Sequence, residues 1–305
     1  MSQKNRRLKN KGASMRTRET LAAWGFLAPN IAVWALVYVF AAGVAVWLSF
    51  QDWDLLSPPK FAGFSNYVKL FTNDPDFKRA AVNTLYYVVG IVPIGTVISL
   101  LLAIVMNQEL KGITFFRTAF YMPVVTSTVA ISVVWVWMFN PDRGLFNYFL
   151  NLVGVQNPPG WIYDTVWSKP AVIIENTWHY VGYYMVLFLG GLQGIPAHLY
   201  EAAEVDGASG WEKFWKITLP LLSPTTFLVV ILRIIGAFQI FEEVYVMTEG
   251  GPWGSTESLV YFIYTKGFRS FKMGYASAAA IILFAVIFVF TLIQFKLQKN
   301  WVNYE

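Results

Sequence analysis

An all-α integral membrane fold with about six crossing helices is what this 305-residue sequence predicts. Three observations carry that expectation. Of its residues 56% are hydrophobic and only 13% charged, against roughly a quarter charged in soluble domains. Mean hydropathy is +0.48. Apolar runs near the length of about 20 residues needed to cross the hydrocarbon core recur six times, over roughly residues 21–50, 83–106, 122–139, 173–192, 221–241 and 275–295. None of these runs alternates over about ten residues as a barrel strand would.

The chain opens with a basic tail, residues 1–20. Lys4, Arg6, Arg7, Lys9, Lys11, Arg16 and Arg18 stand there with no acid before Glu19. A nucleic-acid arm would also be basic, but this one has no interleaved aromatics and leads directly into a span. It reads as a cytoplasmic anchor under the positive-inside rule. The first span is too long for a signal-peptide core, so no cleavage is expected. With the N-terminus inside, the inner segments carry thirteen cations and the outer loops nine. Six spans then return the C-terminus to the cytoplasm. The outer loops are residues 51–82, 140–172 and 242–274, and the last contains Thr248-Glu249-Gly250-Gly251-Pro252. Residues 107–121 form a short inner connection with Gly112 as its break. No loop is large enough for a soluble module, so residues 21–305 form a single membrane domain. There is no cysteine, which excludes disulfides, thiol catalysis and cysteine metal sites.

Residues 196–220, between the fourth and fifth spans, predict a polar hairpin of two short helices. Pro196 suits a helix start, and Gly207 suits a stop because glycine tolerates the left-handed backbone at a helix end. Ser209-Gly210-Trp211-Glu212 fits a capping box. Trp211, Phe214 and Trp215 form an aromatic stripe suited to the membrane interface. Ala202 and Ala203 leave a smooth face for a partner, flanked by Glu201 and Glu204. Read alone, the segment is also compatible with an ordinary interfacial helix pair.

The string Glu201-Ala202-Ala203, with Asp206-Gly207 behind it and Ile217-Thr218-Leu219-Pro220 beyond, resembles the cytoplasmic docking loop of ATP-binding-cassette importer permeases. The resemblance continues elsewhere. Gly112-Ile113, Phe116-Arg117 and Tyr121-Met122-Pro123 are similar to the start of the third span in carbohydrate-type permeases, as are Trp135, Met138-Phe139 and Gly144-Leu145-Phe146-Asn147. Met247-Thr248 with Gly250-Gly251-Pro252, and Gly274-Tyr275-Ala276-Ser277-Ala278-Ala279, resemble the family's last outer loop and final span. Roughly residues 20–295 are covered. The chain resembles a permease subunit of the maltose and glycerol-phosphate uptake type, with the type I importer fold. That resemblance implies a second permease, two cytoplasmic ATPase subunits that dock on Glu201, Ala202, Ala203, Asp206 and Gly207, and an extracytoplasmic solute-binding protein. It also implies residence in the bacterial cytoplasmic membrane and a sugar or sugar-like substrate. ATP and magnesium are expected on the partner subunits. No Walker-type G-x-x-x-x-G-K-[ST] occurs in this chain, so no cofactor, catalytic residue or metal is expected in it.

Polar residues inside the spans mark the candidate pathway. Asn176, His179, Tyr180 and Tyr183 follow i, i+3, i+4, i+7, which is one helical face. Amides, imidazole and phenols hydrogen-bond sugar hydroxyls, while aromatic faces pack on C–H surfaces. An aromatic belt at the outer interface would show the same residues. Thr128, Ser132 and Trp135 form a similar face on the third span. Arg233 falls near the bilayer midplane, about 16 Å beyond Leu222 at roughly 1.5 Å per residue. A charge there costs about 2.5–3.5 kcal/mol on insertion scales. It is either paired with a carboxylate or carbonyls of another helix, or it lines the pathway and gates it or reads an anionic substrate.

Two rival classes are less well supported. An ion-coupled secondary transporter of a small polar solute calls for mid-membrane carboxylates and a repeat, yet Glu175, Glu242 and Glu243 fall at span ends. A membrane enzyme calls for clustered His, Asp or Glu, yet only His179 and His198 exist, on opposite sides.

Overall fold

The computed structural model describes residues 2–108, 111–299 and 301–302, with side chains from Met15 and from Thr17 onward. The tail cations Lys4 to Lys11 and Arg16 lie outside the described side chains. The polypeptide is almost wholly helical. α1 (Ser2–Trp34) passes through a π-turn (Ala35–Phe40) into α2 (Ala41–Ser49). This arm stands clear of the body, with none of its most apolar stretch buried, and α2 packs against the last helix and against the strand that follows α2. A two-stranded antiparallel pair, β1 (Gln51–Asp52) and β2 (Lys60–Phe61), and α3 (Ser65–Asn73) build the first outer loop.

α4 (Pro75–Met106) begins eight residues before the expected span. Its start is a local signal: Asp74 caps it by accepting the Phe77 amide at 3.0 Å, and Pro75, which has no N–H to satisfy, takes the first turn. Asn83, Tyr87, Ile91, Gly95, Ser99 and Ala103 recur every fourth residue along it and all are buried. They form one ridge that packs into α8 (Ser168–Gln193) and α12 (Ser223–Phe238).

The third span differs from its expected form. Residues 122–139 are not one straight helix: α5 (Ile113–Tyr121), a 3₁₀ turn (Met122–Val125) and α6 (Thr128–Met138) make a pair bent by 100°. Pro123 supplies no backbone donor, so the helical ladder is interrupted there. The bend is held from outside by Gly182 of α8, which lies so close that an added Cβ would strike the Phe120 carbonyl. Arg117 secures the inner end by donating through Nε and Nη2 to the Met106 carbonyl at the end of α4.

α7 (Leu145–Leu152) belongs to the second of the loops expected outside, and α9 (Ala197–Val205), α10 (Gly210–Lys213) and α11 (Leu219–Leu221) to the hairpin expected inside. Pro220 lies in α11, and the hairpin's second arm ends one residue later at Leu221. The helix bends by 65° between Gly210–Leu221 and α12. α13 (Glu242–Met247), α14 (Leu259–Tyr264) and α15 (Met273–Gln298) complete the chain. Among the described residues, three helices are long and apolar enough to cross a membrane, or up to five if each bent pair is one span. α8 is 26 residues long, about 39 Å at 1.5 Å per residue, but Lys169, Glu175, Asn176 and His179 dilute its apolar character.

Two apolar clusters hold the body together. The outer one joins Tyr87, Ile91, Trp135, Phe139, Trp161, Phe238 and Phe262. The inner one joins Ala103, Met106, Met185, Phe188, Leu192, Leu222 and Val229.

Candidate functional site

Between α4, α6, α8, α12 and α13 lies a cavity of about 460 Å³, within the usual range for small-molecule sites of about 300–1,000 Å³. Its wall is mixed polar and aromatic: Asn176, Tyr180 and Tyr184 from α8, Thr128 from α6, Arg233 from α12, and Gln239, Glu242 and Glu243 beyond it.

Arg233 is 2% exposed. Its Nη2 donates to the Gly95 carbonyl at 2.8 Å and to Ser99 Oγ at 2.7 Å, and Ser99 Oγ donates in turn to the Val181 carbonyl at 3.2 Å. The guanidinium lies 3.9 Å from the Tyr184 ring centroid, a cation–π contact. Gly95 makes this arrangement possible, because a Cβ there would overlap the guanidinium. Nε and Nη1 have no hydrogen-bond partner among the described residues. A buried donor left in that state costs about 1–3 kcal/mol.

Two carboxylates are buried beside the cavity. Glu243 accepts the Asn176 amide at 2.6 Å. Glu175, fully buried, accepts Ser132 Oγ at 3.4 Å and has His179 Nδ1 at 3.9 Å from its Oε1. They were placed at span ends by sequence, yet helix packing draws both into the protein.

Of the expected pathway residues, the structure brings Asn176, Tyr180, Thr128 and Arg233 to the cavity and places Ser132, which donates to Glu175, and three others elsewhere. His179 is buried behind the wall, stacked on Tyr180 at 4.4 Å and facing the backbone of Pro123 and Thr126 at the break. Tyr183 is 37% exposed and turns away, edge-on to Tyr184. Trp135 sits in an aromatic cluster with Phe139, Phe146 and Trp178 and lines a separate apolar hollow. Tyr184, Gln239, Glu242 and Glu243 were missed. The adjacent pair Glu242-Glu243 just past an apolar run was the one available signal.

At the inner end, the hairpin is built as its sequence specifies. Gly207 adopts φ +74°, and the Ala208 and Gly207 amides bond back to the Ala203 and Glu204 carbonyls at 2.8 and 3.0 Å, a Schellman closure. Ser209 and Glu212 make both bonds of the capping box. Lys213 Nζ reaches Glu204 Oε1 at 2.7 Å, and the Tyr200 and Thr218 hydroxyls meet at 2.9 Å, tying the two arms. The Ser209 amide and hydroxyl, with Lys216, hold the Glu212 carboxyl below its usual range, and Lys213 does the same for Glu204. Glu201, Ala202, Asp206 and Gly207 are exposed and Ala203 half-buried. Val205 is 89% exposed at the tip.

At the outer end, Asn83 Nδ2 donates to the Gly254 and Glu257 carbonyls at 2.9 and 3.0 Å. Tyr87 donates to the Thr256 carbonyl at 3.0 Å, and the Leu259 amide to Thr84 Oγ1 at 2.8 Å. The last outer loop is thus pinned along α4.

Residues 95–302 match the family described as the inner membrane component of binding-protein-dependent transport systems. The chain belongs to this family. The permease is 35% identical to the lactose transport permease LacF of Rhizobium radiobacter, covering 94% of this chain and 97% of that one. It is 34% identical to the probable ABC transporter permease YesP of Bacillus subtilis (94% of each). With the sn-glycerol-3-phosphate permease UgpA of Brucella suis it shares 32% identity, over 92% and 95% of the two chains. Among solved structures it is similar in fold to a chain of the bacterial ABC importer of the acidic polysaccharide alginate. The TM-score is 0.82 at 24% identity, covering 95% of the permease and 99% of that chain. The protein is therefore an inner-membrane, pore-forming subunit of a binding-protein-dependent ABC importer, with the type I permease fold.

Proposed function

We propose that the permease pairs with a second permease subunit to form the pathway for a sugar or sugar-like solute, which an extracytoplasmic binding protein delivers to the outer loops. The observation that carries this reading is the cavity wall of Asn176, Tyr180, Tyr184, Gln239 and Glu243, which offers both hydroxyl partners and stacking faces. The naming of relatives for lactose and glycerol phosphate supports the same substrate class.

Energy comes from two cytoplasmic ATPase subunits, which hold the ATP and magnesium; this chain binds neither. They dock on the exposed surface of Glu201, Ala202, Ala203, Asp206 and Gly207. The capped, cross-tied hairpin is stiff enough to transmit their closure to α12. Both termini face the cytoplasm in this arrangement, and residues 21–305 act as a single domain.

The test is uptake by the importer, assembled with its ATPase and second permease in proteoliposomes, against a panel of sugars. ATP-dependent uptake stimulated by the binding protein is expected. Uptake driven by an ion gradient in the absence of ATPase subunits would refute the proposal in favour of a secondary transporter.

A further inference from the structure

We propose that the chain holds a phospholipid head group at the end of the membrane domain opposite the hairpin. Lys69 and Lys272 take the phosphate of an ethanolamine lipid, Asp52 takes its ammonium group, and α3 lies among the neighbouring lipids. The site is separate from the solute cavity and does not depend on which solute is carried.

A hollow of about 520 Å³ lies between β1, α3, the cap of α4 and the start of α15. It stands where spans end. α2 stops at Ser49 and α15 starts at Met273, and the two are locked side by side. The Trp53 carbonyl accepts the Met273 amide at 2.9 Å, and a Cβ added at Gly274 would strike the Gln51 carbonyl. The 26 residues of α15 reach about 39 Å at 1.5 Å per residue. That exceeds a hydrocarbon core of about 30 Å and approaches the roughly 40–45 Å that includes the head groups. With Lys296 and Lys299 at its far end, α15 begins at head-group level. Trp53, which lines the hollow, is a residue type favoured there.

Three carboxylates and three ammonium groups line the hollow. Half of them are engaged by the fold. Asp54 accepts the Leu56 and Ser57 amides, and Asp74 caps α4 and accepts the Tyr275 hydroxyl at 2.8 Å. Lys266 lies 3.9 Å from Asp74 and 3.5 Å from Asp76. The other three, Asp52, Lys69 and Lys272, are exposed, and their side chains make no hydrogen bond or ion pair among the described residues. Two lysines fit one phosphodiester, and one carboxylate fits one primary ammonium, each through charge-assisted hydrogen bonds. A simple anion would be repelled by Asp52, whereas a zwitterion satisfies all three groups.

α3 supplies the apolar half of the argument. It lies on the body through buried Asn66 and Leu70. Phe64, Val68 and Phe71, at i, i+4, i+7, share the opposite face and are 70%, 57% and 56% exposed. Leu56 and Phe61 nearby are more exposed still. A patch of this kind marks a contact with lipid or protein. Aromatic and aliphatic residues on one helix face with lysine on its flank suit the plane of a bilayer surface. Lys69, one residue past Val68, turns about 100° from it and lines the hollow. α3 also packs on α15, whose Phe284 and Phe288 are exposed further along, so the patch continues a surface that the membrane already covers.

Native mass spectrometry of the complete purified importer tests the site, with phosphatidylethanolamine and phosphatidylglycerol of one acyl composition as probes. The wild-type importer should retain one ethanolamine lipid more than a Lys69→Gln/Lys272→Gln importer. Asp52→Asn should lower the ratio of ethanolamine to glycerol lipid retained at least fivefold. Lipid counts and head-group preference unchanged in these variants overturn the proposal. Preferential retention of the glycerol lipid by wild type also overturns it, leaving a site for anions alone. A second measurement stands apart from these variants: benzoylphenylalanine in place of Phe71, irradiated in the importer reconstituted in vesicles of the two lipids with the binding protein present, should crosslink to lipid. Capture of the second permease or of the binding protein instead would overturn the proposal and make α3 a protein contact.

Discussion

Replacing Gly207 tests whether the hairpin transmits force through its backbone geometry. The residue sits at φ +74°, where an added Cβ meets nothing within 4 Å. Substitution therefore carries only a conformational cost. A residue with a Cβ in the left-handed region costs about 1–2 kcal/mol, with a β-branched side chain toward the upper end. If the turn opens instead, the two closing bonds from Ala208 and Gly207 are lost at about 1 kcal/mol each. Either route puts the Val variant roughly 2 kcal/mol above the native hairpin, and one or two kcal/mol is a factor of about 5–30 in population. Gly207→Val should lower transport and substrate-stimulated ATPase activity by about that factor, Gly207→Ala by less, and Gly207→Asn least, since asparagine tolerates the left-handed backbone. Membrane insertion should be unaffected. The assay is ATPase activity and uptake of the reconstituted importer, with hairpin docking followed by co-purification of the ATPase. Wild-type activity in Gly207→Val would refute the reasoning. Equal loss in Asn and Val would refute it differently, by showing that a partner surface leaves no room for a side chain at this position.

Gly182→Ala forces a methyl group onto the Phe120 carbonyl; overpacking of this kind costs about 1–3 kcal/mol, so a lower melting temperature of the purified complex is expected, with the inner hairpin's ATPase contact intact. Asn83→Ala leaves the Gly254 and Glu257 carbonyls without their donor, at about 1–3 kcal/mol for each buried unsatisfied group, and should weaken stimulation by the binding protein more than basal ATPase activity. Asp74→Ala removes the α4 cap, worth about 1 kcal/mol, while Asp74→Asn keeps it; melting curves should rank them so. Burial raises the Asp74 carboxyl, but the Phe77 amide, Tyr275 hydroxyl and Lys266 outweigh that and leave it below its ordinary value. A depressed carboxyl contributes stability above its unfolded value that is lost only as pH falls through the lower folded one, so this clasp should be unchanged by titration from pH 8 to 5.

Local backbone chemistry was the most legible part of the sequence. Ser209 and Glu212 predicted both bonds of a capping box, and Gly207 its left-handed turn, because such motifs depend on residues three or four apart. The bend at Met122–Val125 was not legible. Both flanking segments are apolar, so hydropathy reads them as one run; Pro123 marks the break, but the angle also depends on the close approach of Gly182, some sixty residues away. The cavity wall shows an intermediate case. Asn176, Tyr180 and Tyr184 lie at spacings of four, whereas the wider i, i+3, i+4, i+7 template admits His179 and Tyr183 at the edges of the same face. Periodicity finds the face, and the neighbours α4, α6 and α12 decide which part of it is open. The burial of Glu175 and Glu243 was not legible for a related reason: position along a span says how deep a residue lies in the membrane, not how deep it lies in protein.

The four-residue ridge on α4 has a consequence for how this chain tolerates changes in length. Asn83 and Tyr87 hold the outer loop, and Gly95 and Ser99 hold Arg233, all from one face of one continuous helix that carries Pro93 between them. Each residue turns that helix by about 100°. A single insertion or deletion between 87 and 95 would swing one set of contacts a quarter-turn or more from its partners while leaving the other in place, and no side-chain rotamer spans that arc. Loop segments without such ties can lengthen or shorten at little cost. Between Asn83 and Ser99 the residue count is itself part of the structure.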